Sequence, residues 1–215
     1  MTSREPWVIG VSGASGTPYA RAVINGLLDA GRPVDLVVSR AARLTLLDET
    51  GLALRDAHWR EDLAGWLDRD PTGVTYWAAG DLAAGPSSGS YCARGMVVVP
   101  ASTAALAGIA IGLSKDLLQR AADVTLKERR PLVVVPRETP YTRATLQHML
   151  TLHDAGAVVL PASPAFYTAP QTVAQLVDFV AAKVLDAIGV EHDLITRWSG
   201  TLGGAARAAG PNTPA

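Results

Sequence analysis

Arg137 and Glu138 stand directly after Pro136 and the apolar run Leu132-Val133-Val134-Val135. A guanidinium is a rigid donor fork for a phosphate or a ring carbonyl, and a carboxyl beside it can take or give a proton. Two other places offer comparable donors. Ser12-Gly13-Ala14-Ser15-Gly16 follows Trp7-Val8-Ile9-Gly10-Val11, and Ser102-Thr103 follows Met96-Val97-Val98-Val99-Pro100-Ala101. Each is a run too short and too β-branched for a helix, of the kind buried on both faces inside a parallel sheet. Open α/β sheets bind their ligands at the C-terminal ends of such strands. Alone, Arg137-Glu138 reads equally as a solvated pair on a loop, and the glycine-rich stretch as a plain tight turn. Three strand ends carrying donors to one rim point to the phosphate of a nucleotide.

The positioning elements follow from the pattern. Strands are expected at 7–11, 34–38, 75–77, 96–100, 132–135 and 157–160. Helices are expected at about 17–30 with Gly31 as a C-terminal cap, 41–49, 103–111, 116–128, 141–155 and 172–188. Thr139-Pro140 looks like the N-cap and first position of the helix after the Arg137-Glu138 loop. Alternating strands and helices predict a three-layer α/β/α sandwich, Rossmann-like or flavodoxin-like, with a mostly parallel sheet. The glycine spacing is G-x-x-G-x-x-G and not the dinucleotide G-x-G-x-x-G, and Ser39 ends the second strand where a ribose-binding acid would stand. A mononucleotide therefore suits the turn better than NAD. Residues 51–95 are the least regular, with Trp59, Trp66 and Trp77 read as core or subunit-contact aromatics. The segment 85–91 reads as a lid or a connector. Arg120 and Lys127 lie two turns apart on one helix side.

Bulk properties narrow the function classes. The 215 residues are 48% hydrophobic with a net charge of −1, enough for one covered core and without the basic footprint of a nucleic-acid binder. One domain is expected over 1–199, with a mobile Gly/Ala/Pro-rich tail at 200–215. The single cysteine excludes an internal disulfide framework, and the four histidines lack metal-ligand spacing. No signal peptide or membrane-length apolar run is seen, so a soluble, cytoplasmic protein is expected.

Over roughly residues 7 to 200 the sequence resembles the flavin prenyltransferases, relatives of phenylacrylic acid decarboxylase partner proteins. The resemblance is carried by Gly13-Ala14-Ser15-Gly16, Glu49-Thr50, Ser88-Gly89-Ser90, Arg120-Ala121-Ala122-Asp123-Val124, Leu126-Lys127-Glu128-Arg129-Arg130-Pro131, Pro136-Arg137-Glu138, Gly156-Ala157, Phe166-Tyr167 and Arg197-Trp198. It implies a homo-oligomer, typically a dodecamer, with active sites shared between subunits. It further implies that dimethylallyl monophosphate, without a metal, alkylates reduced FMN at N5 and closes a ring onto C6, and that a partner decarboxylase uses the prenylated FMN. Carried over, FMN contacts fall on Gly13, Ala14, Ser15, Ser39, Ser102, Thr103, Ala104, Ala105 and Arg137. The prenyl phosphate falls to Lys127, Arg137, Tyr167 and Lys183, with Arg120 nearby. Glu138 handles protons beside the leaving phosphate, Glu49 serves ring closure, Ser15 is counted among the catalytic residues as well as the FMN contacts, and Trp198 is an aromatic wall for the prenyl group.

Three positions depart from the family pattern. Lys183 replaces an Arg common among relatives, Lys115-Asp116 replaces Asp-Asn, and Ala104-Ala105 replaces a Gly-Thr type pair. Two other readings compete. An FMN-dependent cysteine-type decarboxylase calls for an early histidine and a P-A-S-A-N stretch, but the first histidine is His58 and Pro100-Ala101-Ser102-Thr103-Ala104 lacks the Asn. A non-catalytic flavin carrier would leave Lys127, Glu138 and Tyr167 with no common cavity.

Overall fold

A computed structural model describes residues 5–197. Six strands form one sheet: β1 (Trp7–Val11), β2 (Val34–Val38), β3 (Val74–Ala78), β4 (Gly95–Ala101), β5 (Leu132–Pro136) and β6 (Val158–Val159). Their order is β3-β2-β1-β4-β5-β6, and every pairing is parallel. Of the two architectures expected, this is the doubly wound Rossmann order, which reverses direction between β1 and β4. The central strands are buried along their whole length, which is why they read as unbroken apolar runs.

Alternate residues of each strand feed two cores. Ile9, Val11, Leu36, Val97 and Val133 pack against α1 (Thr17–Asp29), α2 (Arg40–Thr50), α3 (Trp59–Leu67) and α7 (Val173–Ala187). Val8, Val37, Met96, Val98 and Val134 pack against α4 (Thr103–Ala110), α5 (Leu117–Lys127) and α6 (Arg143–Asp154). Gly10 lets α5 settle on β1, since a Cβ there would lie 3.0 Å from Leu118 Cγ. Gly31 closes α1 as expected: at φ +64 it donates to Leu28 while Arg32 donates to Leu27, satisfying carbonyls of the last turn.

Two expectations need correction. Thr139-Pro140 does not open α6. Thr142 is the N-cap, because its hydroxyl is the one that reaches the Thr145 amide, at 3.2 Å. The stretch 51–95 also holds a helix, α3, that the sequence reading left out. Trp66 is buried at its inner face and Trp59 packs on Tyr76, so both are core aromatics. Segment 85–91 is a connector containing a short 3-10 turn, Gly85–Ser87. Among the described residues no helix is long and apolar enough to cross a membrane. Trp198 and the 200–215 segment lie outside the described residues.

Candidate active site

The carboxyl ends of β1, β2, β4 and β5 lie side by side, and each delivers a polar residue. Ser12 is the tie at the point where the sheet order reverses. Its hydroxyl donates to Pro100 O at 2.8 Å and accepts from the Ser102 amide at 2.7 Å, joining the end of β1 to the end of β4. Ser39 caps α2, accepting from Ala42 N at 3.1 Å, and Ser102 caps α4, accepting from Ala105 N at 3.2 Å. Two helix N-termini thus open on one cleft of about 520 Å³, lined by Ser12, Gly13, Ser39, Ser102, Ala104 and Ala105 among others. That volume is in the range of cofactor sites, and helix N-termini favour an anion. Gly13 is required because a Cβ there would overlap Ala41 on α2.

Arg137 leaves β5 beside the same rim, its amide donating to Ala101 O at 3.3 Å. Its Nε is buried without a hydrogen-bond partner, an arrangement that suits an acceptor brought by a ligand. Its side chain passes the Gly16 turn, where a Cβ would lie 3.8 Å from Arg137 Cγ. These residues fit a flavin mononucleotide: anion-binding amides and hydroxyls at one end, a guanidinium with unused donor capacity, and small side chains between. Thr103 opens α4 beside them, and Ala14 is buried in the turn.

Glu49 does something the sequence reading missed. The N-cap of α1 is Gly16, which has no side chain to offer, and Glu49 reaches over from α2 in its place. One carboxylate oxygen accepts from Gly16 N at 2.8 Å; the other accepts from Thr17 N at 2.9 Å and Thr17 Oγ1 at 2.6 Å. Burial pushes its pKa up, but hydrogen bonds from Thr17, Ser15 and the two amides outweigh that and hold it below the usual carboxylate range. Glu49 is therefore ionised at this turn, with Ser15 among the groups that favour the charged form.

The remaining expected site residues are not brought together within one chain. Glu138 is exposed at the rim, its carboxylate accepting from the Thr139 amide at 2.9 Å. Lys127 ends α5, before the N-terminal edge of β5, and pairs with Glu128. Arg120 sits two turns earlier, bonded to Asp123 Oδ2 at 2.9 Å and Ser87 O at 3.1 Å. Tyr167 packs edge-on against Phe179 of α7 with centroids 5.9 Å apart. Lys183, further along α7, lies 3.6 Å from Asp186. Of the departures, Lys115 and Asp116 line the cleft, and Asp116 caps α5 by accepting from Gln119 N at 3.0 Å. Ala105 keeps its place through its amide, so the lost hydroxyl costs no cap. Among the described residues no group of three or more His, Cys, Asp or Glu is placed to hold a metal ion.

Comparison with known proteins bears on these features. The Flavoprotein family model matches residues 1–185. A flavin prenyltransferase UbiX of Streptomyces coelicolor is 65% identical over 211 residues, covering 93% of this chain and 98% of the relative. The flavin prenyltransferase UbiX of Pseudomonas aeruginosa is 40% identical, covering 92% and 96%. This chain belongs to the flavin prenyltransferase family. Solved members of similar fold include AnUbiX (PadA1) in complex with FMN and dimethylallyl pyrophosphate, at TM-score 0.82 and 35% identity, covering 93% of this chain and 100% of that one. Another is a dodecameric FMN-dependent UbiX-like decarboxylase of Escherichia coli O157:H7, at TM-score 0.80 and 39% identity, covering 91% and 100%. The FMN-dependent cysteine decarboxylase TvaF shares the fold at TM-score 0.57 but only 15% identity. The flavin prenyltransferase resemblance is thus a matter of sequence as well as fold, whereas the rival cysteine-type decarboxylase reading has the fold alone.

Proposed function

We propose that this protein joins the dimethylallyl group of dimethylallyl monophosphate to N5 and C6 of reduced FMN, releasing phosphate and supplying prenylated FMN to a partner decarboxylase. The observation that carries this reading is the cleft at the β1/β4 reversal, lined by the Ser39 and Ser102 helix caps, with Arg137, its Nε unsatisfied, leaving β5 beside the end of β4. Gly13, Ala14, Ser15, Ser39, Ser102, Thr103, Ala104, Ala105 and Arg137 hold the flavin, whose reduced ring supplies the nucleophilic atoms.

The prenyl donor needs positive charge where its C–O bond breaks, because the bonding pair leaves with the phosphate. Arg137 supplies that charge from the rim, and Glu138 beside it passes a proton to or from the phosphate. Lys127, Arg120, Tyr167 and Lys183 complete the phosphate pocket from neighbouring subunits, since one chain sets Lys127 and Glu138 beyond opposite ends of β5. Glu49, ionised at the turn that carries Ser15, is the base for ring closure.

Apolar surface supports an assembly. Ile111 and Leu113 after α4, and Leu146 and Leu150 on α6, are more than half exposed on one side of the sheet. Contiguous exposed apolar area of this kind marks a contact surface. Light scattering is expected to give a multi-subunit particle, with a dodecamer as the proposed size; a monomer at working concentration would leave the phosphate pocket incomplete and refute the shared site. The function itself is tested by mass spectrometry of flavin recovered after incubating reduced FMN and dimethylallyl monophosphate with the protein. The expected product is FMN heavier by one dimethylallyl unit. Recovery of unmodified FMN under anaerobic, fully reduced conditions would overturn the reading.

A further inference from the structure

Asp35 is out of character for its place. It is the second residue of β2, inside a central parallel strand, and only 2% exposed. A buried carboxylate is costly unless it is used, and apolar replacements at such sites are often neutral or better. Burial pushes its pKa up. The indole N–H of Trp77, buried without a hydrogen bond of good geometry, offsets part of that rise, as does the Tyr91 hydroxyl. Tyr91 is its direct partner: the phenol donates to Asp35 Oδ2 at 2.8 Å.

Tyr91 ends the 85–91 connector, and this connector runs along the outside of α5. Its ring lies against Gly85, where a Cβ would be 2.7 Å from the ring carbons, so the segment closes on its own anchor. From there the chain is bonded to the cations of the KERRP stretch and its preceding helix. Ser87 O accepts from Arg120 Nε, Gly89 O accepts from Arg130 Nη2 at 2.9 Å, and Tyr91 O accepts from Arg130 Nη1 at 2.8 Å. Gly89 is pressed against the Lys127–Glu128 pair, with room for no side chain: a Cβ would lie 2.6 Å from Lys127 Nζ. Ser88 and Ser90, whose exposed hydroxyls lie 2.9 Å apart, flank Gly89 in the chain. None of the residues lining the flavin cleft takes part in these contacts.

We infer that Asp35 and Tyr91 are a positioning pair: their hydrogen bond fixes the 85–91 segment against Arg120 and Lys127, and thereby sets the phosphate end of the prenyl-donor site that these cations present. The inference rests on the proposed function and deepens it. Neither residue touches the donor. Their effect passes through the segment, and a shift of about an ångström in a positioning element is enough to cost up to about 100-fold.

The test separates donor binding from flavin binding and from turnover. Oxidised FMN is not a nucleophile at N5, so affinity for dimethylallyl monophosphate is measured by calorimetry on the assembled protein loaded with oxidised FMN. Tyr91→Phe keeps the ring but removes the hydroxyl; it should weaken donor binding roughly tenfold while FMN affinity stays within about twofold. Asp35→Asn keeps an oxygen that accepts from the phenol, and donor affinity should stay within about threefold of wild type. Unchanged donor affinity in Tyr91→Phe overturns the inference. So does a parallel loss of donor and FMN binding, or failure of both variants to fold, either of which marks the pair as a general stabiliser. Wild-type protein that binds no dimethylallyl monophosphate at all removes the donor site itself, and the proposed function with it.

Discussion

Lys127→Ala and Glu138→Gln subunits, each nearly inactive alone, should regain roughly a quarter of the wild-type rate when assembled in equal amounts into one particle. Each variant alone should form product about 10²–10³-fold more slowly, the usual consequence of removing one charge-stabilising group from a transition state. FMN affinity should stay within a few-fold, because neither side chain lines the flavin cleft. The recovery follows from geometry. Lys127 ends α5 ahead of β5, and Glu138 stands two residues past the other end of that strand. A five-residue strand alone spans about 17 Å at roughly 3.3 Å per residue.

If Glu138 of one subunit works with Lys127 of another, a random mixture leaves about one site in four with both native groups. Co-expression with two tags, followed by isolation of mixed particles and a product assay, makes the measurement. Mixed particles of verified composition that stay as inactive as their parents would show that each chain builds its site alone. They would also force Lys127 out of the phosphate pocket.

The sequence exposed some of this site and hid the rest for physical reasons. β1, β2, β4 and β5 were legible because strands buried on both faces need unbroken apolar runs, and the donors at their ends stand out against them. The Schellman turn at Gly31 was legible because only a left-handed residue serves there. α3 was missed although Trp59, Leu63, Trp66 and Leu67 repeat at helical spacing; Gly65 and three charges within nine residues masked the pattern. Thr139-Pro140 carried the better helix-start signal, yet Thr142 has the hydroxyl in reach of a third amide. Arg120 and Lys127 could be placed on one helix side, but which end of the sheet that helix presents is set by topology. Ser12, Asp35 and Glu49 act through partners 32 to 90 residues away, and no local pattern announces such contacts.

Glu49→Gln should slow product formation by about 10²-fold and also lower thermal stability slightly, and the two effects can be separated. The stability effect comes from the cap. Glu49 replaces the missing side-chain cap of α1 with three hydrogen bonds to Gly16 and Thr17. Loss of a helix cap costs typically about 1 kcal/mol, and a partly exposed carboxylate belongs at the lower part of that range. In a domain of this size that is a fall of about 2–4 °C in Tm. The pKa of Glu49 is lowered in the folded protein, so its contribution is complete above the unfolded value of 4.5 and disappears as pH falls through the lower folded value. The Tm of wild type and Glu49→Gln should therefore differ at neutral pH and converge in acid. The rate effect comes from the ionised carboxylate acting with the Ser15 hydroxyl. Ser15→Ala should reproduce the slower product formation without the same stability loss, and the double variant should be no slower than Glu49→Gln, because paired groups act as one unit. Thr17→Val is the control: it removes a hydroxyl bonded to Glu49 while leaving Ser15 in place. It should lose stability and keep its rate. If Thr17→Val slows product formation as much as Glu49→Gln does, Glu49 acts only by holding the turn, and the chemical role given to it is wrong.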